Sequence, residues 1–106
     1  MVFIETPIFT KLVKELLSDE EYRSLQEALL LRPEAGDVIP GGGGLRKIRW
    51  RMSGKGKRGG IRVIYYWDTP DDIIYMLTVY KKNAQENLTA NQLKVLRQLV
   101  EEWLHE

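Results

Sequence analysis

Apolar residues recur along this chain in two periods, and the switches between them divide it into elements. Val2, Phe3 and Ile4 form a short run of β-forming residues and read as a strand. Thr6 is placed to cap a helix, with Pro7 at the first helical position, where its missing N–H costs nothing. Ile8, Phe9, Leu12, Val13 and Leu16 then follow at helical spacing. Ser18 and Glu21 make a capping box for a second helix, and Leu17 can staple to Tyr22. Tyr22, Leu25 and Leu29 continue an apolar stripe until Pro33, and Arg32 in the last turn suits the helix dipole. Two amphipathic helices so closely joined predict a helical hairpin.

Residues 34–44 read as a loop ending in four glycines, and that tract reads as a hinge or flexible connection. From 45 to 51 the period becomes two: Ile48 and Trp50 alternate with Lys47, Arg49 and Arg51, giving a strand with one apolar and one cationic face. Residues 53–60 read as a basic connection. Residues 61–67 and 73–80 are rich in β formers and nearly continuously apolar, which predicts interior strands covered on both faces. Asp68, Pro70, Asp71 and Asp72 fit the turn between them better than a metal cluster. Thr89 and Gln92 make a second capping box, Leu88 and Leu93 a second staple, and Leu93, Leu96, Val100 and Trp103 mark one face of a closing helix. The predicted order is β-α-α-β-β-β-α, a two-layer α+β domain with a largely antiparallel twisted sheet. At 106 residues without an internal repeat, one domain spanning 1–106 is expected.

Charge changes this picture more than composition does. The formal net charge is only +1, but no acid lies between Asp37 and Asp68. That interval holds Arg46, Lys47, Arg49, Arg51, Lys55, Lys57, Arg58 and Arg62, half of the 16 basic residues. Such a block is the footprint of a polyanion-binding surface, with a solvated, aggregation-resistant edge strand as the plainer alternative. Arginines spread across a strand and a loop, with no interspersed acid, favour phosphate binding. Tyr65, Tyr66 and Tyr80 on neighbouring strands are candidates to stack unpaired bases.

Other chemistries find less support. The chain has no cysteine, which removes disulfides and thiolate metal sites. Its one histidine, His105, is next to last, a poor place for a catalytic base. The glycine tract lacks the Lys-Ser/Thr and the helix of a P-loop. Trp50, Trp67 and Trp103 fall on apolar faces and read as core. The opening residues lack a basic n-region and a long apolar stretch, so neither a signal peptide nor a membrane span is expected, and a cytoplasmic location is. No cofactor is expected. If the protein cuts RNA, lysine and arginine must supply the electrostatic and proton-transfer work; a lysine among other cations gives up its proton more readily.

The segments LRKIR (45–49), GKGKRGG (54–60), IRVIYY (61–66) and LTVYKKN (77–83), in this order, resemble the RelE/ParE toxin superfamily, most closely its HigB-type branch. The resemblance covers nearly the whole chain. It implies a toxin held inactive by a cognate antitoxin, which in HigA-like pairs carries a helix-turn-helix domain. It also implies a metal-independent endoribonuclease that cleaves mRNA in the ribosomal A site through attack of the 2′-OH on the adjacent phosphate. By position, Lys47 and Arg49 resemble the paired basic residues of the first meander strand, with Arg49 where a lysine often serves as base. Arg62 resembles the arginine that holds the scissile phosphate. Lys81 and Lys82 resemble the basic pair after the last strand, with Lys82 where an arginine is often the acid. Leu88 falls near the place of a stacking tyrosine in some relatives, which leaves Tyr80 as a substitute. Arg46, Arg51, Lys55, Lys57, Arg58, Tyr80 and Lys81 are then RNA-binding candidates. The alternatives are a ParE-like inhibitor of DNA gyrase and a non-catalytic RNA- or ribosome-binding module.

Overall fold

The computed structural model describes residues 1–51 and 60–104. Its elements are β1 (Val2–Glu5), α1 (Pro7–Leu16), α2 (Asp19–Leu31), β2 (Asp37–Val38), β3 (Arg46–Trp50), β4 (Ile61–Asp68), β5 (Ile73–Lys81) and α3 (Ala90–Leu104). They build an α+β fold around a five-stranded sheet in the order β1-β5-β4-β3-β2. β1 runs parallel to β5 and the other pairs are antiparallel, so the sheet is mixed. β4 and β5 are interior, which accounts for their nearly unbroken apolar sequence.

The caps set the helices. The Thr6 hydroxyl accepts from the Phe9 N–H at 3.0 Å and donates to the Leu77 carbonyl at 2.7 Å, tying the start of α1 to β5. Ser18 and Glu21 form the reciprocal capping box of α2. Thr89 and Gln92 repeat it at α3. Each such cap contributes about 1 kcal/mol.

Side-chain alternation divides the interior into two clusters on opposite faces of the sheet. Phe9, Val13, Leu17, Leu25 and Leu29 of the helical hairpin meet Ile48, Ile61, Val63, Tyr65, Ile74, Met76 and Val79 on the first face. On the second face, Leu96 and Val100 of α3 meet Leu45, Ile64, Tyr75 and Leu77. The expected two layers thus gain cover on the second face from α3, whose stripe at 93, 96, 100 and 103 has no other surface to bury. Trp50, Trp67 and Trp103 pack against these clusters.

The segment 34–44 differs from the loop expected for it. It contains β2, which pairs Asp37 with Lys47 and Val38 with Arg46. Two residues are too few to show an alternation, so the strand leaves no periodic mark. The glycine tract is the connection from β2 to β3. Ile39 N–H donates to Leu45 carbonyl at 2.9 Å and Gly42 N–H to Ile39 carbonyl at 2.9 Å, closing a turn between β2 and β3. Gly44 sits at φ +100, and a Cβ there would approach Tyr66 Cε1 to 2.8 Å. The β4–β5 connection is the expected turn, with Asp72 N–H donating to the Thr69 carbonyl at 3.3 Å.

Candidate nucleic-acid interface

The geometry of the site begins with the alternation of β3. Ile48 enters the first core and Trp50 packs beside it, so Lys47 and Arg49 project from the second face. Cross-strand register extends this face sideways. Arg49 stands opposite Arg62 on β4, and Arg62 opposite Tyr80 on β5. One row therefore runs Arg49–Arg62–Tyr80 across three strands, with Lys47 opening the next. Gly60 permits the entry into β4: it sits at φ +58, and a Cβ there would collide with the Trp50 carbonyl.

Arg62 is the charged member of an otherwise apolar buried run, with 6% of its surface exposed. Its Nη1 donates to the Ile61 carbonyl at 3.2 Å. Tyr80 ends the row half-buried, and its hydroxyl is shielded from solvent without a hydrogen-bond partner among the described residues. Burial pushes the phenol up from its ordinary pKa, and the Arg62 charge pulls it partly back. The phenol therefore stays protonated and keeps a donor to offer.

Lys47 is fixed from α3's side of the site. Its Nζ donates to Asn87 Oδ1 at 2.8 Å. Gln85 Nε2 donates to the Asn87 carbonyl at 2.9 Å and to Gln92 Oε1 at 3.0 Å, which joins Lys47 to the α3 cap. A concavity of about 370 Å³ opens here, lined by Asp37, Ile39, Lys47, Arg49, Asn87 and Leu88 among others. Asn87 and Asp37 were not singled out in the sequence. The only signal for Asn87 was its place two residues ahead of a capping threonine.

The remaining candidates fall elsewhere. Arg46 projects to the opposite face, where Nη1 donates to the Gly36 carbonyl at 2.8 Å and the Glu34 carbonyl at 3.2 Å. With the Tyr65 hydroxyl, which donates to Pro33 carbonyl at 2.7 Å and accepts from Gly36 N–H at 2.8 Å, it fastens the chain after α2. Tyr65 is wholly buried and so offers no face for a base. Lys81 is exposed and pairs with Ile61, which puts it on the opposite side of β5 from Tyr80. Lys82 follows, exposed, with its backbone N–H donating to the Gly60 carbonyl at 3.1 Å. Arg51 is exposed beyond the end of β3. Lys55, Lys57 and Arg58 lie outside the described residues. Among the described residues, no ion pair engages Lys47, Arg49, Arg51, Lys81 or Lys82. No helix among the described residues is long and apolar enough to cross a membrane.

The protein is an α+β fold whose sheet carries two arginines in one row, one exposed and one buried. Residues 2–106 match the family described as the RelE toxin of the RelE/RelB toxin–antitoxin system. The chain belongs to this family, within the RelE/ParE superfamily, and is the toxin member of a system in which the toxin pairs with an antitoxin.

Proposed function

We propose that this toxin is a HigB-type, ribosome-dependent endoribonuclease that cleaves mRNA in the cytoplasm and so inhibits translation, its cognate antitoxin being a HigA-like helix-turn-helix protein. The observation that carries this reading is the row Arg49–Arg62–Tyr80, with Lys47 beside it. Its cations suit a phosphodiester. The buried guanidinium of Arg62 acts in a low-dielectric setting, where stabilisation of added phosphate charge is strongest. In the proposed step the 2′-oxygen forms a bond to phosphorus while the bond from phosphorus to the 5′-oxygen breaks. The 2′-OH loses its proton and the leaving 5′-oxygen gains one, giving a 2′,3′-cyclic phosphate and a 5′-hydroxyl. Arg49 and Arg62 hold the phosphate and answer its growing charge. An arginine does not deprotonate in proteins, so Arg49 cannot be the base. Lys47 is the amine on the same face and takes that role, while Lys82 at the end of β5 is the candidate acid. Arg51, Lys55, Lys57, Arg58 and Lys81 anchor flanking or ribosomal RNA.

The test is expression of the toxin followed by mapping of transcript ends, with DNA integrity followed in the same cells. Cyclic-phosphate ends within translated messages are expected. Arg62→Ala should lower cleavage about a hundredfold or more and relieve growth arrest, with thermal unfolding recorded alongside. DNA breaks with intact transcripts would replace this reading with gyrase inhibition. Ribosome binding without cleavage would leave a non-catalytic module.

A further inference from the structure

The free edge of β3 carries a second concavity, on the α2 side, that the cationic row does not use. β2 pairs only with Arg46 and Lys47, so from Ile48 to Trp50 the outer side of β3 has no neighbouring strand among the described residues. There Arg49, Trp50 and Arg51 line a space of about 420 Å³, closed on its other side by Glu21 and Ser24 of α2. Trp50 is half-buried against the first core, while the arginines before and after it are exposed. Burial alone explains an apolar residue at 50. It does not explain why both flanking residues are arginines without an ion pair among the described residues.

Arg49 also lines the concavity that holds Lys47, Asn87 and Leu88 on the second face. It is thus the shared wall of two spaces on the two sides of one open strand edge. A strand of phosphates held at Arg49 and Arg62 can turn over this edge without leaving positive charge. Glu21 lies on the α2 wall, its Oε1 accepting from the Ser18 N–H at 2.8 Å. The two arginines draw the phosphate backbone to their own side, which leaves the indole to the base. Aromatic faces flanked by cations are the general means of holding unpaired bases.

We propose that Trp50, with Arg49 and Arg51, forms a subsite for one unpaired nucleobase of single-stranded RNA, beside the phosphate held at Arg62. The proposal rests on the RNA reading above and adds to it where a neighbouring nucleotide is gripped.

The probe is a short fluorescein-labelled RNA, 2′-O-methylated so that it cannot be cut, in one intact form and a series with a single abasic position. Affinities are read by anisotropy at low salt. For the wild-type protein, one abasic position should weaken binding about tenfold. Trp50→Leu, with folding checked by thermal unfolding, should bind the intact RNA about tenfold less tightly and lose its sensitivity to that position. Trp50→Phe keeps a ring against the core and should retain most of both. Should Trp50→Leu fail to fold, Arg51→Ala, which alters an exposed residue, carries the test: it should weaken the intact RNA and reduce the loss at the same abasic position. A folded Trp50→Leu protein that binds like wild type, or shows the same abasic profile, overturns the subsite. If in that case Arg62→Ala still abolishes binding, the RNA reading stands without it. If the wild-type protein binds the intact RNA no better than it binds an uncharged polymer, both are overturned.

Discussion

Arg46 and Arg49 stand three residues apart on one strand and have opposite fates. The guanidinium of Arg46 is committed to the carbonyls of Gly36 and Glu34, on the face where α1 and α2 close the larger core. Arg49 stands exposed on the other face, opposite a second arginine. On the first face the hairpin covers the apolar residues of the sheet, and Arg46 is bonded to the protein's own carbonyls. The second is covered where α3 lies, over Ile64, Tyr75 and Leu77; beyond that helix it carries Lys47, Arg49 and the Tyr80 phenol, whose shielded hydroxyl has no hydrogen-bond partner among the described residues. The same residue type is bonded to backbone carbonyls on one face and exposed on the other, and strand parity decides which.

This contrast is most severely tested where the closed face is emptied. Phe9 is wholly buried against the hairpin and the sheet, and its ring lies 5.8 Å from that of Tyr22. Phe9→Ala should cost about 3–5 kcal/mol of stability by chemical denaturation. RNA affinity, corrected for the folded fraction, should stay as it was. Arg46→Ala should follow at about 1 kcal/mol, the loss of hydrogen bonds to one exposed and one half-buried carbonyl. It too should leave RNA affinity unchanged. A large loss of affinity in a folded Arg46→Ala protein would mean that the two faces are not separate in function.

The division of labour was partly legible in the chain. Parity alone placed Lys47 and Arg49 together, because the apolar partners Ile48 and Trp50 fix which way the strand faces. The same parity already put Arg46 with Ile48, and the charge count hid this by weighing every cation in the window alike. The row to Arg62 and Tyr80 depends on register between strands, set by turns and a bulge near Ile64 and Tyr65, and no local pattern records it. The latch from Lys47 to Asn87 spans forty positions and arises from how α3 docks. Helix boundaries, by contrast, were written in adjacent residues: Thr6, Ser18 and Thr89 cap where their spacing to Phe9, Glu21 and Gln92 said they would.

The open face yields a smaller effect with a characteristic signature. Arg49 is exposed, so Arg49→Ala should leave unfolding nearly unchanged, within about 0.5 kcal/mol. If Arg49 neutralises one phosphate, the slope of log K against log salt should fall by about 0.7 for a single strand. Arg46→Ala should not alter that slope. Identical slopes in the Arg49→Ala and wild-type proteins would remove Arg49 from the phosphate path and with it the link between the two concavities.

The smallest effect concerns the far end of β4, away from the row. Asp68 is buried where β4 turns toward β5, and burial, then the neighbouring charge of Asp71, pushes its carboxyl up from the ordinary range. The folded state therefore holds this proton more tightly than the unfolded chain does. The resulting stabilisation is fully present below the unfolded pKa and is lost as pH rises through the folded value. Asp68→Asn cannot lose that proton, so its stability should fall less than wild type's as pH rises from the acid range toward neutrality. Denaturation midpoints across that window measure the difference. RNA affinity at neutral pH should be untouched, because Asp68 lies opposite Ile73 while the row lies at Arg62 and Tyr80 toward the other end of the same strand pair. An affinity that followed the Asp68 titration would show that the charge at the closed end of β4 reaches the open one.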